Sequence, residues 1–186
     1  MTPYDGACAA IDRWNREDPA GHELPYSERM VGWTRKLSPG ASDELLLAVR
    51  AQHLRRWTVP RSTFPDGRAG YLSWRETLKK FHADALASIM KDSGYGDPAV
   101  AKAKALILRK NLASDPEGQT LEDAACLVFL QFEFADFARK TEEGKVLEIL
   151  KKTWQKMSPR AREAALGLSY PPKESEILRK ALDGNA

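Results

Sequence analysis

The segment Ser42-Asp43-Glu44-Leu45-Leu46-Leu47-Ala48-Val49-Arg50-Ala51-Gln52-His53-Leu54-Arg55-Arg56-Trp57 reads as one helix. Ser42 is a good N-cap, and Asp43 and Glu44 suit the positive end of a helix. Leu45, Leu46, Leu47, Val49 and His53 then recur at helical spacing, and the run stops near Trp57, before Pro60. Its last eight residues carry one of only three histidines and open the most basic third of the chain.

Outward from this run, the same period continues in both directions. Helices are expected over Tyr4–Glu17, about Ser27–Leu37, Tyr71 to about Asp92, about Ala99–Leu112, Leu121–Arg139, about Glu143–Met157, Ser158–Leu166 and Ser175–Leu182. Asp18-Pro19-Ala20-Gly21, Ser38-Pro39-Gly40, Gly94-Tyr95-Gly96-Asp97-Pro98 and Pro171-Pro172 are the breaks, and His22–Pro25 reads as a connector. Thr58–Gly70 is the longest irregular stretch. Its length is near the point where a structureless loop calls for a function. The helix opening at Leu121 is apolar all round at its start, the mark of a central, buried element. No stretch alternates with period two for long enough to argue a strand. The expectation is all-α: a single helical domain over residues 1–186.

A chain of 186 residues suffices for one self-standing core. No run approaches the about 20 apolar residues of a membrane span, and Met1-Thr2-Pro3-Tyr4-Asp5-Gly6 lacks the pattern of a signal peptide. Cys8 and Cys126 form no paired motif, so a reduced, cytoplasmic setting is expected, without membrane contact. The net charge is only +3. From Arg50 to Lys80, however, eight Lys and Arg face Asp66 and Glu76, an excess of +6, so the remainder sums to −3. Such a concentration suggests an anionic partner, a small molecule or RNA. A merely solvated basic face is the alternative.

Three polar residues fall on apolar helix faces. His53 follows Leu46 and Val49 by seven and four; His82 follows Leu78 by four and precedes Leu86 by four; Asp123 precedes Cys126, Leu127 and Leu130 by three, four and seven. Buried ionisable groups need partners. Two imidazoles and a carboxylate converging from three helices could satisfy one another around a divalent metal ion. Alternatively, Asp123 closes a capping box with Thr120, and each histidine is a core residue bonded to a backbone carbonyl.

The order of these elements resembles the HD superfamily of all-helical, metal-dependent phosphohydrolases. Leu45–Leu54 is similar to the segment leading into that family's His-Asp pair. Lys80-Phe81-His82-Ala83 is similar to its following histidine, and Leu121-Glu122-Asp123-Ala124-Ala125-Cys126-Leu127 to its late aspartate motif. The likeness covers roughly residues 26–137. It implies an HD-like core over about residues 26–140, with helices 141–186 packed on it. It also implies a divalent metal held by His53, His82 and Asp123, with His53 and Asp123 catalytic. Leu54 stands where the family has its paired aspartate, which leaves at most a single-metal site. The family's first histidine has no clear counterpart; Glu28 lies at a suitable distance, and His22 is the alternative.

A closer resemblance spans almost the whole chain. Tyr26-Ser27-Glu28-Arg29-Met30, the Arg50–Trp57 run, Trp74–His82, Leu121–Leu130 and Lys152–Ser158 together look like a bacterial and fungal family of unknown function. Some of its members are labelled glutamyl-tRNA synthetase-related. No synthetase motif and no Gly-rich phosphate loop is present here, so that label supplies no mechanism.

Arg50, Arg56, Arg61 and Lys79 are the candidate phosphate ligands, because guanidinium forks match phosphate oxygens. Trp57 or Tyr71 would supply a stacking surface, although Trp57 and Trp74 equally suit a core. Two functions follow: an HD-like metal-dependent hydrolase acting on a phosphorylated small molecule or nucleotide, or a non-catalytic anion- or RNA-binding module on a degenerate scaffold of that kind.

Overall fold

The computed structural model describes residues 2–109 and 115–183. Among them every regular element is helical, as the periodicity requires: α1 Pro3–Arg16, α2 Glu23–Leu37, α3 Asp43–Arg50, α4 Gly67–Asp92, α5 Asp97–Leu108, α6 Pro116–Val128, α7 Phe134–Lys140, α8 Glu143–Lys156, α9 Pro159–Leu166 and α10 Pro172–Leu182. The expected end of the fifth helix at Leu112 lies outside the described residues. Two compact units result, residues 1–118 and 119–186.

In the first unit α3 is the hub. Leu45, Leu46, Leu47, Ala48 and Val49 are all buried, so the body of the short helix is enclosed, and α1, α2 and α5 pack around it. Helix α4 lies against α1 and α5. The start of α3 is as expected: the Ser42 hydroxyl accepts the Leu45 N–H at 3.2 Å. Its end is not. The helix stops at Arg50 instead of continuing to Trp57. Residues 51–55 form turns, Arg55 takes left-handed backbone (φ 51°), and a 3-10 turn covers Arg56–Thr58. Left-handed backbone costs a non-glycine residue about 1 kcal/mol. Here it lets Leu54 bury completely, while the Arg55 guanidinium covers the Trp14 ring at 4.2 Å and pairs with Glu17.

Helix α2 begins at Glu23, four residues ahead of expectation. Pro25 read as a break, yet it occupies the third helical position, where a proline lacks nothing the first turn would have used. Asp18 supplies the missing cap from a distance. Its carboxylate accepts the backbone N–H groups of Ala20 (3.1 Å), His22 (2.7 Å) and Glu23 (3.2 Å). Helix α4 also starts early, at Gly67, and Gly70 explains how. A β-carbon there would lie 1.8 Å from the Pro65 carbonyl oxygen, so only glycine lets the loop fold back on the helix's first turn.

In the second unit, the long helix expected over Leu121–Arg139 is interrupted by a π turn at Phe129–Glu133. The turn gathers Phe129 against Phe134 (6.3 Å) and Phe137 (5.8 Å). Val146 and Leu150 of α8 and Ile177 and Leu178 of α10 are buried in the same unit. No helix among the described residues is long and apolar enough to cross a membrane. Cys8 and Cys126 form no disulfide.

Candidate functional site

Because α3 ends at Arg50, the turn that follows carries His53 toward the start of α2. There the His53 Nδ1 meets Glu23 Oε2 at 3.1 Å, and the ring stacks on Tyr26, centroids 3.8 Å apart and planes within 6°. On the other edge, Arg56 Nη1 lies 3.0 Å from His53 Nε2. A guanidinium can only donate. Nε2 is therefore the bare nitrogen, and Nδ1 carries the proton that it donates to Glu23. The order of donation is Arg56 to His53 to Glu23, all within the first unit.

Arg56 is held from below as well. Its guanidinium sits 4.7 Å over the Trp74 ring, and the Trp74 indole N–H is fixed by the Val59 carbonyl at 2.8 Å. Among the described residues Arg56 has no carboxylate within ion-pair distance. Burial pushes the Glu23 carboxyl up to about 7, against the pull of Arg56. His53 is held well below its ordinary value by burial, then by Arg56, Arg75 and Arg109. At neutral pH the imidazole is uncharged and the arginines are not, so positive charge exceeds negative around it. The His53 side chain keeps 25% of its surface exposed and that of Glu23 12%, so solvent reaches the pair.

His82 belongs to the same neighbourhood. It is only 4% exposed, and its Nε2 has no hydrogen-bond partner among the described residues. Burial, and then the fields of His53 and Arg56, lower its pKa to about 3. The inward placement read from the sequence is correct for His82, but no carbonyl satisfies that nitrogen.

The other candidates are employed elsewhere. Arg50 forms a two-pronged ion pair with Asp12, both bonds 2.7 Å. Arg61 donates to the carbonyls of Phe64 (2.9 Å) and Gly67 (3.4 Å), bracing the loop before α4. Lys79 lies 3.6 Å from Glu76 on its own helix. Glu28 is exposed on α2, and the carboxylate that meets His53 is Glu23. Trp57 is half-buried, Tyr71 is exposed, and Trp74 is a core aromatic whose face also carries Arg56.

Asp123 is in the second unit. Only 4% exposed, it takes the Ser158 backbone N–H at 2.8 Å, the Ser158 hydroxyl at 2.5 Å and the Gln119 amide at 2.9 Å. Ser158 in turn caps α9 through the Ala161 N–H. The carboxylate thus ties α6 to the junction of α8 and α9. The capping box with Thr120 does not form, because α6 starts at Pro116.

These occupations bear on the expected metal. Both ring nitrogens of His53 are engaged, and both oxygens of Asp123 accept hydrogen bonds. Among the described residues no three His, Cys, Asp or Glu side chains group so as to hold an ion. The donor set expected from the sequence does not fit a metal among the described residues.

Sequence reasoning missed Glu23, Tyr26 and Asp18 as parts of the site. His53, by its inward spacing, and Arg56, by the basic stretch it belongs to, were the parts of it that the sequence signalled. No curated protein and no solved structure matches the chain. Residues 5–178 match the model of the domain of unknown function DUF4202, and the chain belongs to that family.

Proposed function

We propose that the face of the first unit carrying His53, Arg56 and Arg75 binds the phosphate group of a phosphorylated small molecule or nucleotide. The observation that carries this reading is the state of Arg56. Its guanidinium meets a neutral imidazole and a tryptophan face, and among the described residues no carboxylate lies within ion-pair distance of it, although the Glu23 carboxyl feels its charge. A guanidinium with donors to spare beside a half-buried, uncharged ring favours an oxyanion. Arg75, 5.8 Å from the Tyr71 ring, adds charge from α4.

The test is titration with pyrophosphate and with a nucleoside triphosphate, followed by tryptophan fluorescence, since Trp74 lies under Arg56. Saturable binding by one site supports the reading; no change up to millimolar ligand overturns it. Binding to RNA in preference to both, with affinity falling steeply as salt rises, would move the assignment to a nucleic-acid surface.

A hydrolytic reading has its own observation. A carboxyl poised near 7 next to a histidine suits proton transfer at neutral pH. The resemblance to HD hydrolases belongs with this reading, with Glu23 rather than Asp123 as the proton-handling acid. Release of phosphate from a panel of phosphomonoesters, abolished by Glu23→Gln, would support it. A panel without turnover by the folded chain would leave the binding function alone.

A further inference from the structure

We infer that the anion taken up by this face is a nucleotide, with its phosphates on Arg56 and Arg75 and its base against the exposed ring of Tyr71. The inference rests on the phosphate binding proposed above and deepens it by naming the ligand class.

One buried ring links the two halves of such a site. The Arg56 guanidinium sits 4.7 Å over the Trp74 ring, and the Tyr71 ring centroid lies 5.9 Å from that of Trp74. Arg56 and Tyr71 are therefore separated by no more than these two distances combined, a span that a nucleotide covers from its phosphates to its base. Trp74 is 8% exposed and has no room for a base, whereas Tyr71 is 43% exposed. Arg75 approaches the Tyr71 ring at 5.8 Å, the outer limit of a cation–π contact, so the ring is only loosely engaged.

The surroundings of Tyr71 point the same way. Leu72, the next residue, is 53% exposed. Scattered single apolar residues on a surface are ordinary, but this pair lies between Arg68 and Arg75 at helical spacing on α4. Among the described residues neither arginine has a carboxylate within ion-pair distance. Guanidinium groups beside an accessible flat ring fit a ligand that is anionic at one end and planar at the other. The line of unpaired cations is short. Lys79 lies 3.6 Å from Glu76, and Arg61 is committed to the carbonyls of Phe64 and Gly67. That footprint suits one nucleotide, since a nucleic-acid strand needs a basic groove that tracks its backbone.

The experiment is calorimetric titration of the full chain, its Tyr71→Ala and its Tyr71→Phe variants with adenosine diphosphate, with pyrophosphate and with a short oligoadenylate. Tyr71→Ala should weaken adenosine diphosphate by roughly tenfold and leave pyrophosphate, which has no base, bound as before. Tyr71→Phe keeps the flat ring and should retain nucleotide affinity. Circular dichroism should be unchanged in both variants, because the side chain is exposed. Pyrophosphate binding with adenosine diphosphate indifferent to Tyr71→Ala would overturn this inference and leave the proposed function standing. Oligoadenylate bound more tightly than adenosine diphosphate would also overturn it, in favour of a nucleic-acid surface. Binding of none of the three ligands would overturn both.

Discussion

The Nδ1 of His53 donates to Oε2 of Glu23 across 3.1 Å, joining a turn after α3 to the first residue of α2. Neither residue is where a simple periodic reading puts it, and their meeting sets the electrostatics of the first unit.

The pH dependence of stability follows from three groups. Glu23 has a raised value, about 7, so the folded chain holds a proton there that the unfolded chain loses near 4.5. That contribution falls as pH rises from about 4.5 to 7. His53 and His82 are depressed, His82 to about 3. Below 6.5 the unfolded chain protonates them and the folded chain does not, so their contribution grows as pH rises to 6.5. Two histidines outweigh one carboxyl, and stability should rise between pH 5 and 6.5 and then level off. Urea midpoints across pH 4.5–7.5 measure this. Glu23→Gln should steepen the rise, and a midpoint that falls with pH over pH 5–6.5 would contradict the assignments.

Asp18 holds the start of α2 through three backbone N–H groups. Asp18→Ala should cost about 1–2 kcal/mol, in line with lost helix caps. It should also loosen the Glu23–His53 contact, visible as a shift of the His53 ring signals. Asp18→Asn should recover part of both. Urea denaturation and the ring spectra separate the two effects.

Arg50 has a structural role in its pair with Asp12, at about one-sixth exposure on each side. Arg50→Ala and Asp12→Ala should each lose about 2 kcal/mol, and Arg50→Lys should not restore the two-pronged geometry. Pyrophosphate affinity should be unchanged in whatever fraction folds, as a titration at low temperature would register.

Asp123 should behave as a tie within the second unit. Asp123→Ala leaves the Ser158 N–H and hydroxyl without their acceptor and should cost about 2 kcal/mol, with Asp123→Asn intermediate. The proposed site makes no use of this carboxylate, so pyrophosphate binding should persist. Loss of binding in a folded Asp123→Asn chain would restore the catalytic role that the sequence suggested.

The apolar run Leu45–Val49 announced a buried helix plainly, and the inward placement of His82 and Asp123 was legible from their spacing. What each of them meets was not. Asp123 finds Ser158, 35 residues away, and no local pattern encodes such a bond. Glu23 was hidden by Pro25, which marks a break except in a first turn. His53 was assigned to a helix face that ends three residues earlier. Tertiary demands, the burial of Leu54 and the covering of Trp14 by Arg55, override the helical period there, and they move the histidine from the α3 core to the rim of α2.

Calorimetric titration of pyrophosphate into the wild-type chain and Arg56→Gln, in low salt at pH 7, tests the central claim most directly. The wild type should bind at one site, and Arg56→Gln should bind at least roughly tenfold more weakly, about 1.4 kcal/mol, with unchanged circular dichroism. Equal affinities for the two folded chains, or no heat from either, would contradict it.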